Sequence, residues 1–184
     1  LSSGPYTLVL SSSFFGSAYH AGVLAALLQA DLAPGAVAGS SSGALVAALY
    51  AAGMSMDDSF LDLTKQLAKD GVLQVARPWR EPGGLFSTER IAALLRGVIR
   101  ERGLCERLEQ TRVPCSVTTF DVPSLRPRAH RRGELAAVVA ASCAVPGFFC
   151  PSTLDGRAQL DGGVADMPGV CGVARGARVL YHHA

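Results

Sequence analysis

Residues Gly39-Ser40-Ser41-Ser42-Gly43 place a serine in a Gly-x-Ser-x-Gly frame. A serine hydroxyl is a weak nucleophile until a neighbouring base takes its proton. The frame presents such a serine when a strand enters the turn and a helix leaves it. The sharp turn strains the serine backbone and crowds strand against helix, which leaves room only for glycine on either side. The apolar segment Ala36-Val37-Ala38 leads in, and the strong helix former Ala44-Leu45-Val46-Ala47-Ala48-Leu49 leads out. Ser41 is therefore the nucleophile candidate, with Gly39, Ser40, Ser42 and Gly43 as its turn. The helix N-terminus would aim free N–H groups and its positive dipole end at the serine. A serine-rich loop or an N-cap is the plainer reading, and the bare motif does not choose between them.

A base must come from elsewhere in the chain. His20 falls in a predicted helix, His130 in a basic stretch, and His182 and His183 follow the last predicted strand. Among the acids, Asp161 ends a short apolar stretch and is followed by Gly162 and Gly163, then by Asp166 and Pro168. Asp-Gly-Gly alone is ordinary turn chemistry; paired with an exposed serine it becomes a candidate base. The order Ser41, Asp161, then His182 or His183 also fits a Ser-Asp-His esterase. Against that reading, only one β–α unit precedes Ser41.

The elements that must position these residues follow from apolar patterning. Residues 6–10 read as a buried strand, 11–17 as a serine-rich loop, and 18–29 as a helix. A turn at 31–35 precedes the strand that enters the Ser41 turn, and the following helix ends near Gly53. Parallel strands joined this way call for a right-handed crossover. Asp57 and Asp58 mark the start of a helix over 60–68. Residues 72–82, which carry Trp79, are ambiguous, and 83–86 read as a loop. Ser87-Thr88-Glu89-Arg90 caps a helix with Ile91, Leu94, Leu95 and Val98 on one face. A strand over 113–120, a basic loop over 123–132, a helix over 134–144 stopped by Pro146, a short run into Asp161 and a strand at 178–181 complete the chain. Strands alternating with helices indicate an α/β domain with a mostly parallel sheet over residues 1–184.

Composition narrows the class. The chain of 184 residues is 49% hydrophobic and 17% charged, as in a packed domain and unlike a disordered one. A net charge of +2 gives no reason to expect nucleic acid as a partner. No apolar run reaches the length of a membrane span, and Leu1-Ser2-Ser3-Gly4-Pro5 has no signal-peptide pattern. The five cysteines are odd in number and fit no zinc spacing, so buried free thiols in a reducing compartment are expected, with no metal and no cofactor. The expected location is cytoplasmic or at a membrane surface.

Several segments together resemble the patatin-like phospholipases nearly end to end. Ala18-Tyr19-His20-Ala21-Gly22-Val23-Leu24 resembles the helix after that family's oxyanion loop, and residues 39–43 its nucleophile turn. Gly84-Leu85-Phe86 and the helix after it resemble its middle segment. Ala140-Ala141-Ser142-Cys143-Ala144-Val145-Pro146-Gly147-Phe148-Phe149 resembles its Ala-Ser-x-Ala-x-Pro-x-x-Phe block, and Leu160-Asp161-Gly162-Gly163-Val164 the block that carries its catalytic aspartate. The resemblance implies a three-layer α/β/α fold with a mostly parallel central sheet. It implies a lipid acyl hydrolase of phospholipase A or lysophospholipase type, working through a Ser41–Asp161 dyad and an acyl-enzyme without histidine.

The resemblance also implies that N–H groups in the loop after the first strand form the oxyanion hole. The family's loop is glycine-rich, whereas this chain has Ser13, Phe14, Phe15, Gly16 and Ser17 there. Gly162, Gly163 and Asp166 would support Asp161; the family often has Asn at the last of these. The implied partners are a lipid ester and a membrane or lipid-droplet surface. A non-catalytic lipid-binding module and acyl transfer to an acceptor other than water remain open. Phe14-Phe15 and Phe148-Phe149 belong either to the core or to an acyl pocket. The basic residues 126–132 form either a solvated turn or a contact for anionic head groups.

Overall fold

The computed structural model describes residues 4–14, 16–57, 60, 62–63, 76 and 83–184. In chain order, β1 (Thr7–Leu10), α1 (Ser17–Gln29), β2 (Ala36–Ser40) and α2 (Ser42–Ala51) form the first unit. β3 (Gly84–Phe86), α3 (Thr88–Glu101), β4 (Cys115–Asp121), β5 (Arg126–His130) and α4 (Leu135–Ser142) follow. β6 (Gly147–Phe149), β7 (Ser152–Leu154), β8 (Arg157–Asp161) and β9 (Val179–His182) complete the chain. The helix expected over 60–68 and the segment 72–82 with Trp79 lie largely outside the described residues.

Seven strands form one mixed sheet. β9, β1, β2 and β4 run parallel, while β5, β8 and β7 join in antiparallel pairs. The sheet is thus less parallel than the alternation of strands and helices suggests. β5 explains part of the difference. Its sequence Arg-Pro-Arg-Ala-His reads as a loop, yet it is an edge strand, where charge and proline are tolerated because one side of the ladder is open. Residues 84–86, also expected as a loop, pair with β6 in a separate two-stranded ribbon.

The register around β4 organises the molecule. Residues 117–118 pair with β2 and β5, and residues 119–121 with β8 and β5. A strand has two edges, so β2 and β8 share one edge of β4 and β5 takes the other. β2 runs parallel to β4 and ends at Ser40, opposite Thr118. β8 runs antiparallel and ends at Asp161, opposite Thr119. The two strands therefore meet end to end on adjacent residues of β4.

The helices supply the core. In α2, Ala44, Val46, Ala47, Ala48, Leu49 and Ala51 are all fully buried, as expected of a helix that is apolar all round and packed on most sides. α3 is amphipathic. It buries Ile91, Leu95, Val98 and Ile99, and Ser87 caps it by accepting the Arg90 N–H. Truncating Leu95, fully buried, to Ala would cost about 2–5 kcal/mol. Arg96 ties α3 to α4 by donating to both Glu134 oxygens at 2.5 and 3.0 Å. The cysteines are all free, but only Cys115 and Cys150 are buried; Cys105 and Cys143 are half-buried and Cys171 is exposed. The thiols are free as expected, and burial holds for two of the five.

Two imidazoles are part of the packing. His20 on α1 is fully buried, and its Nε2 lies 2.9 Å from the Ser11 carbonyl, which can only accept. Nδ1 of His20 is then the acceptor for Nδ1–H of His182, at 2.8 Å. His130 lies beside Thr119 with Nε2 at 2.8 Å from Oγ1, and that hydroxyl donates on to Gln159 Oε1 at 2.7 Å. Burial lowers the pKa of both His20 and His130 to about 4. Between about 4 and the unfolded value near 6.5 the unfolded chain binds more protons, so stability rises with pH across that window. Chemical denaturation from pH 7 to 4 should show a loss on the order of a few kcal/mol. His130→Gln, which keeps a donor to Thr119, should flatten the slope.

Candidate active site

Ser41 caps α2 with φ 52° and ψ −119°, a left-handed backbone that a non-glycine residue adopts only where its surroundings hold it. The two glycines of the frame make the turn possible. A Cβ on Gly39 would lie 2.5 Å from the Gly43 carbonyl carbon, and one on Gly43 would overlap the Leu10 carbonyl. β1, β2 and the start of α2 are therefore in backbone contact at this point. Ser41 is buried, with 7% of its surface exposed.

Asp161 reaches the same place from the other direction, as the last residue of β8. Its N–H donates to the Ala144 carbonyl at 2.9 Å, and its Oδ1 accepts the Gly163 N–H at 2.7 Å. Gly162 and Gly163 are needed for the approach. A Cβ on the first would overlap the Thr118 carbonyl, and one on the second would lie 2.8 Å from Ser12 Cβ. Asp161 is 4% exposed, and its Oδ2 is buried without a hydrogen-bond partner among the described residues. Burial raises its pKa; the Ser41 hydroxyl, the Gly163 N–H and the Ser12 hydroxyl pull it part of the way back. The Ser41 hydroxyl thus lies close enough to favour the carboxylate, yet Oδ2 accepts no hydrogen bond of normal geometry.

Asp166 organises the loop that follows. Oδ1 accepts N–H groups of Gly169 and Val170 at 3.2 and 3.1 Å; Oδ2 accepts the Cys171 N–H at 2.7 Å and the Thr118 hydroxyl at 3.2 Å. Every partner donates, which suits a carboxylate better than an amide. The neighbouring Met167 carbonyl accepts the Ser12 N–H at 2.7 Å.

In the loop after β1, Ser13 is joined to Ser42. The Ser13 N–H donates to Ser42 Oγ at 3.2 Å, and the two hydroxyls are 2.9 Å apart. The Ser13 N–H is therefore engaged within the protein. Gly16 precedes α1, and a Cβ there would overlap Ser13 Oγ, so the loop closes tightly on itself. Phe15 lies outside the described residues. Phe14 is 62% exposed and meets the half-exposed Phe148 edge to face at 5.8 Å. Phe149 instead packs on Phe86.

The histidines are occupied elsewhere. His182 bonds His20, His183 stacks on Tyr181, and His130 bonds Thr119. None of them hydrogen-bonds Ser41 or Asp161 among the described residues. Three neighbours of the serine escape a motif reading. The Cys143 thiol lies beside both Ser41 and Asp161; burial and the Asp161 charge raise its pKa, so it is a neutral thiol. Ser12 acts on Asp161. Ser142 accepts the Ser41 N–H at 2.9 Å. Ser12 sits next to the expected loop, and Ser142 and Cys143 inside the Ala-Ser-Cys-Ala block, but neither signal assigns a role.

A mixed α/β sheet with a serine in a left-handed strand–turn–helix and a buried aspartate beside it defines the class. A family profile described as Patatin-like phospholipase matches residues 8–170. The chain belongs to the patatin-like phospholipase family. An uncharacterised NTE family protein of Mycobacterium tuberculosis is 31% identical over 165 residues, covering 90% of this chain and 44% of that protein. The lysophospholipase NTE1 of Mycosarcoma maydis is 27% identical over 180 residues, covering 95% of this chain and 9% of that protein. The chain thus spans less than half the length of these relatives. Among solved structures, VipD of Legionella pneumophila shares the fold with a TM-score of 0.65 at 18% identity, over 97% of this chain and 50% of that one.

The raised pKa of Asp161 carries a stability consequence. The folded state favours the protonated form, so the ionised carboxylate destabilises the fold at neutral pH. Asp161→Asn, which keeps the acceptor for Gly163, should be at least as stable as wild type at pH 7. Any gain should shrink as pH falls into the carboxylate range. Denaturant midpoints at pH 7 and pH 4 check this.

Proposed function

We propose that this chain is a serine hydrolase of lipid carboxylic esters, with Ser41 as nucleophile and Asp161 as general base. The observation that carries the reading is the strained, buried Ser41 set beside an aspartate whose one unpartnered oxygen is Oδ2. Membership of a phospholipase family supplies the substrate class. As Ser41 Oγ attacks the ester carbonyl, its proton passes to Asp161. The tetrahedral intermediate collapses to an acyl-enzyme, and Asp161 returns the proton to the leaving alcohol. Asp161 then takes a proton from water as the water oxygen attacks the acyl carbon, and returns it to Ser41 Oγ as the acyl–oxygen bond breaks and the carboxylic acid leaves.

Burial assists this chemistry by raising the Asp161 pKa and so its basicity. The oxyanion role falls to N–H groups of the loop between Phe14 and Ser17, because the Ser13 N–H is held by Ser42. Asp161 remains the base, since His182 is bonded to His20 and His183 stacks on Tyr181.

Peripheral contact with a lipid surface belongs to the same reading. Phe14 and Met167 are exposed in loops following β1 and β8, which end at or next to the site. Leu85 and Phe148, also exposed, lie level with each other on the paired strands β3 and β6. Among the described residues no helix is long and apolar enough to cross a membrane.

A panel of phospholipid, lysophospholipid and glyceride esters tests the function on wild type, Ser41→Ala and Asp161→Asn. Both variants should lose activity on the order of 10³-fold or more on whichever ester wild type cleaves. The acid limb of kcat/KM in wild type should lie above the ordinary aspartate value of about 3.9. A folded wild type that turns over none of these esters would leave a lipid-binding module as the better reading.

A further inference from the structure

Ser142, the last residue of α4, is fully buried and makes two hydrogen bonds. Its Oγ accepts the Ser41 N–H at 2.9 Å and donates to the Thr118 carbonyl at 2.6 Å. The register gives this bridge its meaning. The β2–β4 ladder includes the Val37 N–H to Pro114 carbonyl bond at 2.9 Å. A parallel ladder repeats every two residues on each strand. Stepping along both strands, the bond due at the end of β2 is from the Ser41 N–H to the Thr118 carbonyl. In its place stands the hydroxyl of Ser142, which takes one bond from each side.

We propose that Ser142 is a positioning residue: its hydroxyl is a wedge in the β2–β4 ladder that parts the strands at Ser41 and holds the nucleophile in its strained turn. A direct ladder bond would keep Ser41 in line with β2, extended along β4. The inserted hydroxyl moves the Ser41 N–H away from the strand edge while leaving neither backbone group unpaired, which a dry site requires. The same parting opens the β4 edge just before Thr119, where β8 arrives with Asp161. The Thr118 hydroxyl, bonded to Asp166, fixes the other side of that β4 residue. Ser142 thus acts on both partners of the site without touching the substrate. The ladder geometry stands by itself; its catalytic consequence rests on the hydrolase reading above.

The test compares wild type, Ser142→Ala and Ser142→Thr by turnover of a short-chain p-nitrophenyl ester and by NMR hydrogen exchange at the Ser41 amide. Ser142→Ala should lower kcat by about 10- to 100-fold with KM little changed, the signature of a displaced nucleophile rather than a lost binding contact. The Ser41 amide should exchange faster in this variant while amides of β1 and α2 stay protected. Ser142→Thr, which keeps the oxygen, should recover both properties. A folded Ser142→Ala with unchanged kcat and an unchanged Ser41 amide overturns the proposal. If Ser142→Ala does not fold, Ser142→Thr decides: a folded Ser142→Thr with a protected Ser41 amide supports the wedge, and one with a freely exchanging Ser41 amide overturns it. If wild type turns over no ester, the exchange measurement still decides the wedge, and it is the hydrolase reading that falls.

Discussion

One edge of β4 is shared by two strands arriving from opposite directions, and the site depends on that arrangement. β2 ends opposite Thr118 and β8 opposite Thr119, so the residues at their tips, Ser41 and Asp161, come together although 120 positions separate them. Two strand ends can abut only if neither carries bulk at the junction. Gly39 and Gly43 clear the way for the turn into α2, and Gly162 and Gly163 for the turn after β8. Side-chain oxygens then satisfy backbone groups that a continuous ladder would have paired, as the Ser142 hydroxyl does between Ser41 and Thr118. Asp166 gathers three N–H groups and the Thr118 hydroxyl, tying the loop after Asp161 to the same strand.

The electrostatics follow from the packing. Asp161 is buried at the meeting point of the strands, with one oxygen fixed by Gly163 and the other unpartnered among the described residues. Burial without full hydrogen bonding favours the protonated acid, so the carboxylate is held in a state that costs stability and raises its appetite for a proton. Cys143, close by, is a neutral thiol and adds no opposing charge. Elsewhere, buried apolar side chains of α2 pack into the core, and Arg157 on β8 donates from Nε to Asp121 Oδ1 on β4 at 2.7 Å.

Local signals in the sequence mark the strand, turn and helix around residues 39–43. The Ser41 turn, its strand and its helix are contiguous, and glycine spacing reports the steric requirement directly. The close turn at Asp161 is marked for the same reason, as an acid followed by two glycines. The end-to-end meeting of β2 and β8 is not, because strand pairing across a hundred residues leaves no trace in apolar periodicity, and β8 is short. Ser142 lay in a recognisable block, but its hydroxyl acts on a residue 101 positions away. β5 was hidden by its own composition: Arg126, Pro127 and Arg128 suit an edge strand and a solvated loop equally well. In the loop after β1, the resemblance implies N–H donors over Ser13 to Ser17, and only the fold reveals that the Ser13 N–H is bonded to Ser42.

If the meeting of β2 and β8 makes Ser41 reactive, a nucleophile-directed reagent should find it among its neighbours. Reaction of the folded protein with a fluorophosphonate, followed by peptide fragmentation in the mass spectrometer, reads this directly, because the neighbouring Ser40 and Ser42 carry the same hydroxyl. A single adduct is expected on Ser41, and it should fail to form in Asp161→Asn. An adduct on another serine, or labelling of Ser41 that proceeds unchanged without the Asp161 carboxylate, would contradict it.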